Sequence, residues 1–512
     1  MFASVTSGAI LGIQSYLVKI EVNASNGLPG FAMVGLLSPE VREAAERVKI
    51  ALKNTGIKIP PLHITVNLSP AHLRKEGTSF DLPIAVGVLA AINHLSPEAV
   101  KEVFIIGELG LNGSVKKVNG ILPIVMEAIK FENFRFIVPH ENVEEAKVIS
   151  KAKVCGVSNL EETIALLKGS VMEFRKKAGS RKKTGNRQPL NEANADFADI
   201  VGQEQAKRAA VIAAAGFHHL LLIGPPGTGK TMIARRFPSI LPVLSEDEKL
   251  EVSSIYSIAG LLNTDQAVMT NRPFLNPHHS ITAQGLTGGG RIPGPGVVSL
   301  SHRGVLFMDE LPECNRDVIE ILRQPIEDKR ITISRAAGSF TYPADFTFLG
   351  AMNPCPCGYF PDQEKCCCSA KDVKRYLNRI SGPILDRIDI CTEVARATIE
   401  TLSQTKSGTS SEEMRGQVEV AHKIQKLRYE KFPYRANADI SAKDIPFFCR
   451  LRKREAELMS EIYQAMGLSA RAYHRILKVA RTIADLGESE AIDEAHILEA
   501  VHFRLSDGRY WQ

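Results

Sequence analysis

One eight-residue stretch limits what this chain can fold into. Gly224-Pro225-Pro226-Gly227-Thr228-Gly229-Lys230-Thr231 fits the pattern G-x-x-x-x-G-K-[ST] at every position. His219 to Ile223 before it is an apolar run of strand length. Met232 to Phe237 after it reads as a helix that Pro238 stops. A loop between a buried strand and a helix start turns its backbone N–H groups toward an anion, and the helix N-terminus adds partial positive charge. That chemistry suits the phosphates of ATP, with Lys230 reaching the β- and γ-phosphates and Thr231 ligating Mg²⁺. The loop implies an α/β core around it.

Two further strand ends belong with the loop. Gly304 to Met308 is an apolar strand that finishes in Asp309 and Glu310. Asp309 is placed to hold Mg²⁺ through water, and Glu310 to polarise an attacking water. Phe346 to Met352 is another buried strand, ending at Asn353, whose amide would stand beside the γ-phosphate. The plainer reading of Asn353 is a turn starter before Pro354. Just beyond come Cys355, Cys357, Cys366, Cys367 and Cys368. Four thiolates suit tetrahedral Zn²⁺, and the two C-x-C pairs, Cys355/Cys357 and Cys366/Cys368, are the chosen ligands, with Cys367 pointing away. Free thiols in a loop are the alternative.

At 512 residues the chain is too long for one core, so several domains are expected. Residues 1–170 mix strand and helix patterns, and 171–195 form a basic, Gly/Ser/Asn-containing linker that cannot bury a core. Residues 196–399 carry the nucleotide motifs, and 400–512 read as a helical lid. No apolar run approaches a membrane span, and the N-terminus lacks a secretory pattern. A cytoplasmic, reducing setting follows, in which nine cysteines favour metal or free thiols over disulfides. A net charge of +6 permits a polyanionic partner without demanding one. Residues 270–300 form a glycine-rich insertion with His278 and His279, read as polar contacts rather than a metal site. Lys329 to Phe346 reads as a hairpin carrying Lys329, Arg330 and Arg335. The plain reading of those charges is an ordinary surface.

Several segments resemble known families. Ile200-Val201-Gly202-Gln203 looks like the adenine-packing segment of AAA+ ATPases, and Asn353 falls at their sensor-1 position. Ser381 to Asp389 resembles the arginine-finger segment of magnesium-chelatase and MCM-type ATPases. The resemblance implies Arg387 as the finger, Arg379 as its competitor and Arg471 as the sensor-2 arginine. In AAA+ helicases a hairpin at Lys329–Phe346 points into a central pore, which makes Lys329, Arg330 and Arg335 DNA contacts. Lys75-Glu76-Gly77-Thr78-Ser79 and Gly107 to Gly113 look like the Lon protease domain (an S5-like α/β fold), with Ser79 at the nucleophile position. The lysine position is Leu122, which cannot take a proton, so the dyad is broken. Together the blocks resemble the ComM/YifB family of magnesium-chelatase-like ATPases over nearly the whole chain. That resemblance implies a cytoplasmic AAA+ motor, a hexameric ring of identical chains, using ATP to drive branch migration on single-stranded or branched DNA during recombination of transforming DNA. A chelatase-type motor acting on a protein partner and an ATP-dependent protease are the other classes.

Overall fold

The computed structural model describes residues 1–169 and 196–511, apart from 133, 264–265, 291–292, 336–337, 363 and 397–407. The basic linker 171–195 and the expected boundary at 399/400 thus lie outside the described residues. The chain divides into two compact units, residues 1–185 with 246–270, and residues 186–245 with 271–512.

The first unit is built on a seven-stranded mixed sheet. Its order is β3 (Gly30–Val34), β4 (His63–Ser69), β2 (Gln14–Ser25), β1 (Phe2–Leu11), β5 (Val103–Ile105), β6 (Arg135–Pro139) and β7 (Lys153–Val157). β1 and β2 pair antiparallel from Phe2↔Asn23 to Leu11↔Gln14, which leaves a tight turn at Gly12 and Ile13. Alternation decides β2: Val18, Ile20 and Val22 are buried, and Lys19 is exposed. Helix α1 (Ala44–Asn54) buries Val48, Ala51 and Leu52. A separate short helix, Pro39–Arg42, precedes it and is broken from it at Glu43. Helix α2 (Asp81–Ala91) is buried along its whole length, as its unbroken apolar sequence requires. Helix α3 (Ile121–Ala128) completes the frame.

The second unit carries a five-stranded parallel sheet in the order β9 (Phe274–Leu275), β10 (Val305–Met308), β13 (Thr347–Met352), β8 (Leu220–Ile223) and β14 (Ile390–Glu393). The strands of this sheet from β8 onward, β9 apart, are almost wholly buried and nearly all apolar, the mark of a sheet covered on both faces. β11 (Arg330–Arg335) and β12 (Gly338–Pro343) form a separate antiparallel hairpin. Helix α4 (Glu204–Gly216) packs an alanine-rich face, and helix α5 (Lys230–Ile240) follows β8. Pro238 does not stop α5; it lies in the last turn, where Leu241 N–H still reaches the Pro238 carbonyl. Helices α6 (Ser411–Arg428), α7 (Ala470–Leu486) and α8 (Glu494–Trp511) make the helical C-terminal part. α6 packs on α4 and α5, and α8 on β14.

The helix Glu246–Ile258 was read as part of the nucleotide-binding stretch, yet it folds with the first unit. Its last turn closes over the start of α3. Gly120 N–H donates to the Ser257 carbonyl at 3.0 Å, and Lys117 Nζ to the Leu262 carbonyl at 3.0 Å. Glu145, buried, accepts from the Ser257 hydroxyl, Leu122 N–H and Asn142 Nδ2 together. No helix among the described residues is long and apolar enough to cross a membrane.

Candidate nucleotide-binding site

The sheet order explains where the site lies. β8, β13 and β10 are parallel neighbours, so their C-terminal ends open onto one edge, where ligands of open α/β sheets bind. From those three ends come the 224–231 loop, Asn353, and the Asp309–Glu310 pair. They line a cleft of about 370 Å³ with Gly227 to Thr231 on one wall. Gly229 caps α5 at φ +91°, a conformation that side-chain-bearing residues rarely adopt.

Lys230 Nζ donates to the Gly224 carbonyl at 2.6 Å, the Pro225 carbonyl at 2.8 Å and Asn353 Oδ1 at 3.2 Å. Burial pushes its pKa down to about 8, against the opposing pull of Asp309 and Glu310. Thr231 Oγ1 donates to Asp309 Oδ2 at 2.8 Å, so the two oxygens expected around Mg²⁺ already touch. Glu310 sits in the left-handed region at φ +49°, a strained placement common at functional sites. Its carboxylate lies 3.5 Å from His279 Nδ1, and His279 stacks on His278 at 4.0 Å between ring centres. The histidine pair read from sequence as polar contacts therefore reaches the acid assigned to water activation.

Two residues beyond Asn353 the chain enters the cysteine loop. The sulfurs of Cys355, Cys357, Cys366 and Cys368 all lie within 4.8 Å of one another, and Cys367 is exposed outside the group. Sulfur separations of 3.3, 3.5 and 3.8 Å among Cys355, Cys357 and Cys366 approach a zinc tetrahedron. Zn–S bonds of about 2.3 Å give edges of about 3.8 Å. Cys355 Sγ also accepts from the amides of Gly358 and Phe360, at 3.2 and 3.3 Å, as a metal-bound thiolate would. Burial pushes the Cys357 thiol up, but the Tyr359 amide and the Cys355 and Cys368 thiols outweigh it and bring it down to about 6. The donor set fits Zn²⁺. Gly358 packs so close to the phosphate loop that a Cβ there would meet Pro226 Cδ at 2.5 Å.

The arginines lie elsewhere. Neither Arg387 nor Arg471 lines the cleft. Arg387 pairs with Glu327. Asp389 is taken by Arg475 at 2.6 Å and by His219 N–H at 3.1 Å, which join α7 to the strand β8 side of the core. Arg471 Nη2 stands 3.6 Å from Glu327 Oε1. Burial pushes the Glu327 carboxyl up, but Arg387, Arg471 and Arg475 outweigh it and hold it below the ordinary range. Arg379 pairs at the surface with Glu313 at 2.7 Å.

Of the hairpin cations, Arg330 and Arg335 are exposed on β11. Lys329 is not free on the hairpin. It precedes β11 and is drawn into ion pairs with Asp345, at 3.3 Å, and Asp439. Leu122 is fully buried at the start of α3, where its N–H donates to the Glu145 carboxylate at 3.1 Å, and its own side chain cannot take a proton. Sequence reasoning passed over Glu327 and the reach of His279. No local pattern marks either, since their partners are far away in the chain.

Fold and cleft together define a P-loop protein of the AAA+-like class. Sequence profiles of the magnesium chelatase subunit ChlI match residues 196–402, those of its C-terminal part residues 408–504, and a further ChlI profile residues 20–142. The competence protein ComM of Haemophilus influenzae is 42% identical over 509 residues, covering 98% of this chain and 97% of that one. A protein named YifB from Escherichia coli is 42% identical over 501 residues, 98% of this chain and 96% of its own. Lon protease 2 of Bacillus subtilis is 31% identical over 187 residues, 31% of this chain and 33% of that protease. The chain belongs to the ComM/YifB family of magnesium-chelatase-like proteins.

Proposed function

We propose that this protein is a cytoplasmic, ring-forming ATPase that couples ATP hydrolysis to movement of single-stranded or branched DNA in recombination. The observation that carries the motor reading is the convergence of Lys230, Thr231, Asp309, Glu310 and Asn353 on one cleft. In it Lys230 grips the β/γ-phosphates, Thr231 and Asp309 hold Mg²⁺, Asn353 stands beside the γ-phosphate and Glu310 orients the water. The ring reading draws on Arg387 and Arg471. A cation on the far side of the γ-phosphate is needed, and within this chain both arginines lie outside the cleft. A second copy supplies them. The Lon-like unit serves as a scaffold without a catalytic dyad.

The DNA substrate draws on the name of the competence relative and on the hairpin. β11 and β12 bury Ile331, Ile333, Phe340 and Tyr342 on one face. They expose Thr332, Ser334, Ser339 and Thr341 on the other, between Arg330 and Arg335. Hydroxyls and guanidiniums at that spacing suit phosphates rather than base edges. The test is a titration with forked and single-stranded DNA, with and without ATP, on the parent and an Arg330→Ala/Arg335→Ala variant. Loss of two phosphate contacts lowers the salt slope of binding by about 1.4–1.8, while ATPase without DNA persists. An unchanged slope sinks the hairpin contact. If no DNA binds at all, the chelatase profiles favour the second reading, a motor that remodels a protein partner.

A further inference from the structure

Arg387 and Arg471 come from different elements, yet they meet on one carboxylate. Arg387 follows the short helix Gly382–Leu385, and Arg471 lies in the first turn of α7. Glu327 stands near the end of the helix Arg323–Asp328. Its Oε2 takes Arg387, and its Oε1 faces Arg471 Nη2 at 3.6 Å. The three side chains differ in exposure. Arg387 is 10% exposed, Glu327 49% and Arg471 62%.

A guanidinium cannot shed its proton, so a buried one needs an anion beside it. In a lone chain Glu327 meets that need. Arg387 still has spare capacity, because its buried Nε has no acceptor, while Nη1 is spent on the Pro383 carbonyl at 2.7 Å. Two guanidiniums around one planar, doubly accepting anion is also the geometry that clamps a phosphate. A carboxylate and a phosphate cannot occupy one such clamp together, since both are negative and would meet at contact distance. Glu327 is half in solvent and can withdraw by side-chain rotation alone.

We propose that Arg387 and Arg471 form one anion receptor for the terminal phosphate of ATP held by a second copy of the chain, with Glu327 as its resident stand-in. The proposal rests on the reading that both arginines act across a subunit boundary. Glu327 stores Arg387 safely in the free subunit and must be displaced when the neighbour's terminal phosphate is seated. The doubly charged terminal phosphate displaces it, and the diphosphate, lacking that group, lets it return. Association of subunits is thereby tied to the state of the neighbour's nucleotide.

The experiment is sedimentation velocity over a protein dilution series with a slowly hydrolysed ATP analogue, with ADP, and without nucleotide. It compares the parent, Glu327→Gln, Glu327→Asp, Arg387→Ala and the Arg387→Ala/Glu327→Gln double variant, each checked by thermal melting. Glu327→Gln keeps an oxygen for Arg387 but not the charge. With the analogue its association midpoint falls about tenfold below the parent's, a difference of about 1.4 kcal/mol. With ADP and without nucleotide it stays at the parental value. Glu327→Asp, one methylene short of spanning both guanidiniums, shifts the midpoint the same way by less and serves if the Gln chain does not fold. The gain vanishes in the double variant. A midpoint that is unchanged or raised in Glu327→Gln, or a gain that persists without Arg387, overturns the stand-in role. If the analogue favours association no more than ADP in the parent, the cross-subunit phosphate contact itself is wrong.

Discussion

At the scale of single residues, Lys230 carries the most testable chemistry. Its ammonium is wrapped by two loop carbonyls and an amide oxygen, and burial brings its pKa to about 8, well under the ordinary 10.5. Phosphates would supply the negative charge that burial withholds and raise that pKa again. The sign follows. Below about pH 8 the lysine is charged before and after binding, so affinity is flat. Between about 8 and 10.5 the free protein has lost the proton that the complex keeps, so binding takes up a proton and weakens as pH rises. The limiting slope is about tenfold in Kd per pH unit. Calorimetry of ATP binding at pH 8.5–9 in two buffers of different ionisation enthalpy gives the proton count. An uptake approaching one proton is expected for the parent, and none for Lys230→Met with whatever binding remains. A parent that binds ATP at pH 9 with no uptake contradicts this account of Lys230. The same residue shows what a sequence makes legible. The loop pattern is local, so Lys230 and Thr231 could be placed from eight letters. Asp309 and Asn353 were legible because an apolar run ending in a polar residue announces a strand end. His279 against Glu310 was not, because nothing in the insertion's sequence says which way that loop folds.

Among the elements, the cysteine loop is the one in which the four cysteines paired in the sequence come together in the fold. The loop leaves β13 at Asn353, gathers four sulfurs, and presses Gly358 against Pro226 of the phosphate loop. Metal binding in such a site contributes on the order of 10 kcal/mol, ample to order a Pro- and Gly-containing segment. Protein purified without chelator is therefore expected to carry about one zinc per chain by elemental analysis, and Cys355→Ser/Cys357→Ser to carry none. Because the loop abuts both Asn353 and Pro226, the metal-free variant also loses ATP affinity, read as a rise in KM larger than the fall in kcat. Zinc-free parent protein with ordinary ATP binding would end the assignment. The helix Glu246–Ile258 teaches the opposite lesson. Its buried face is Val252, Ser253, Ser254, Ile255 and Ser257. Three serines on the inside hide the apolar stripe on which helix reading depends. Their hydroxyls instead find partners in Glu145, the Leu250 carbonyl and the Met269 amide. Only the folded chain reveals that this helix belongs with α3 rather than with the strands around it in sequence.

The whole molecule poses the question of how many copies make one site. The sheet order β9-β10-β13-β8-β14 and the three strand ends that build the cleft follow from motifs any reader could mark. That Arg387 and Arg471 stand together on Glu327, outside the cleft, required the packing of α7 against the core, which no spacing encodes. A P-loop supplies cations to one side of the γ-phosphate, and charge developing on its equatorial oxygens calls for a donor from the other. An arginine finger can be worth about 10³–10⁵ in rate. If a neighbouring copy provides it, activity per chain rises steeply with protein concentration, and two defective chains can repair each other. Arg387→Ala keeps a sound P-loop, and Lys230→Ala keeps a sound arginine. Each alone is expected to lose nearly all turnover. Mixed in one ring, some interfaces set a good arginine against a good P-loop, and part of the activity returns, greatest near equal proportions. The same mixture made with Arg379→Ala in place of Arg387→Ala separates the two candidates. Arg379 is paired at the surface with Glu313, so its loss should leave turnover close to the parent's. Rings shown by native mass spectrometry to be mixed, yet as inactive as either variant alone, would mean that Arg387 does not act on a neighbour's nucleotide.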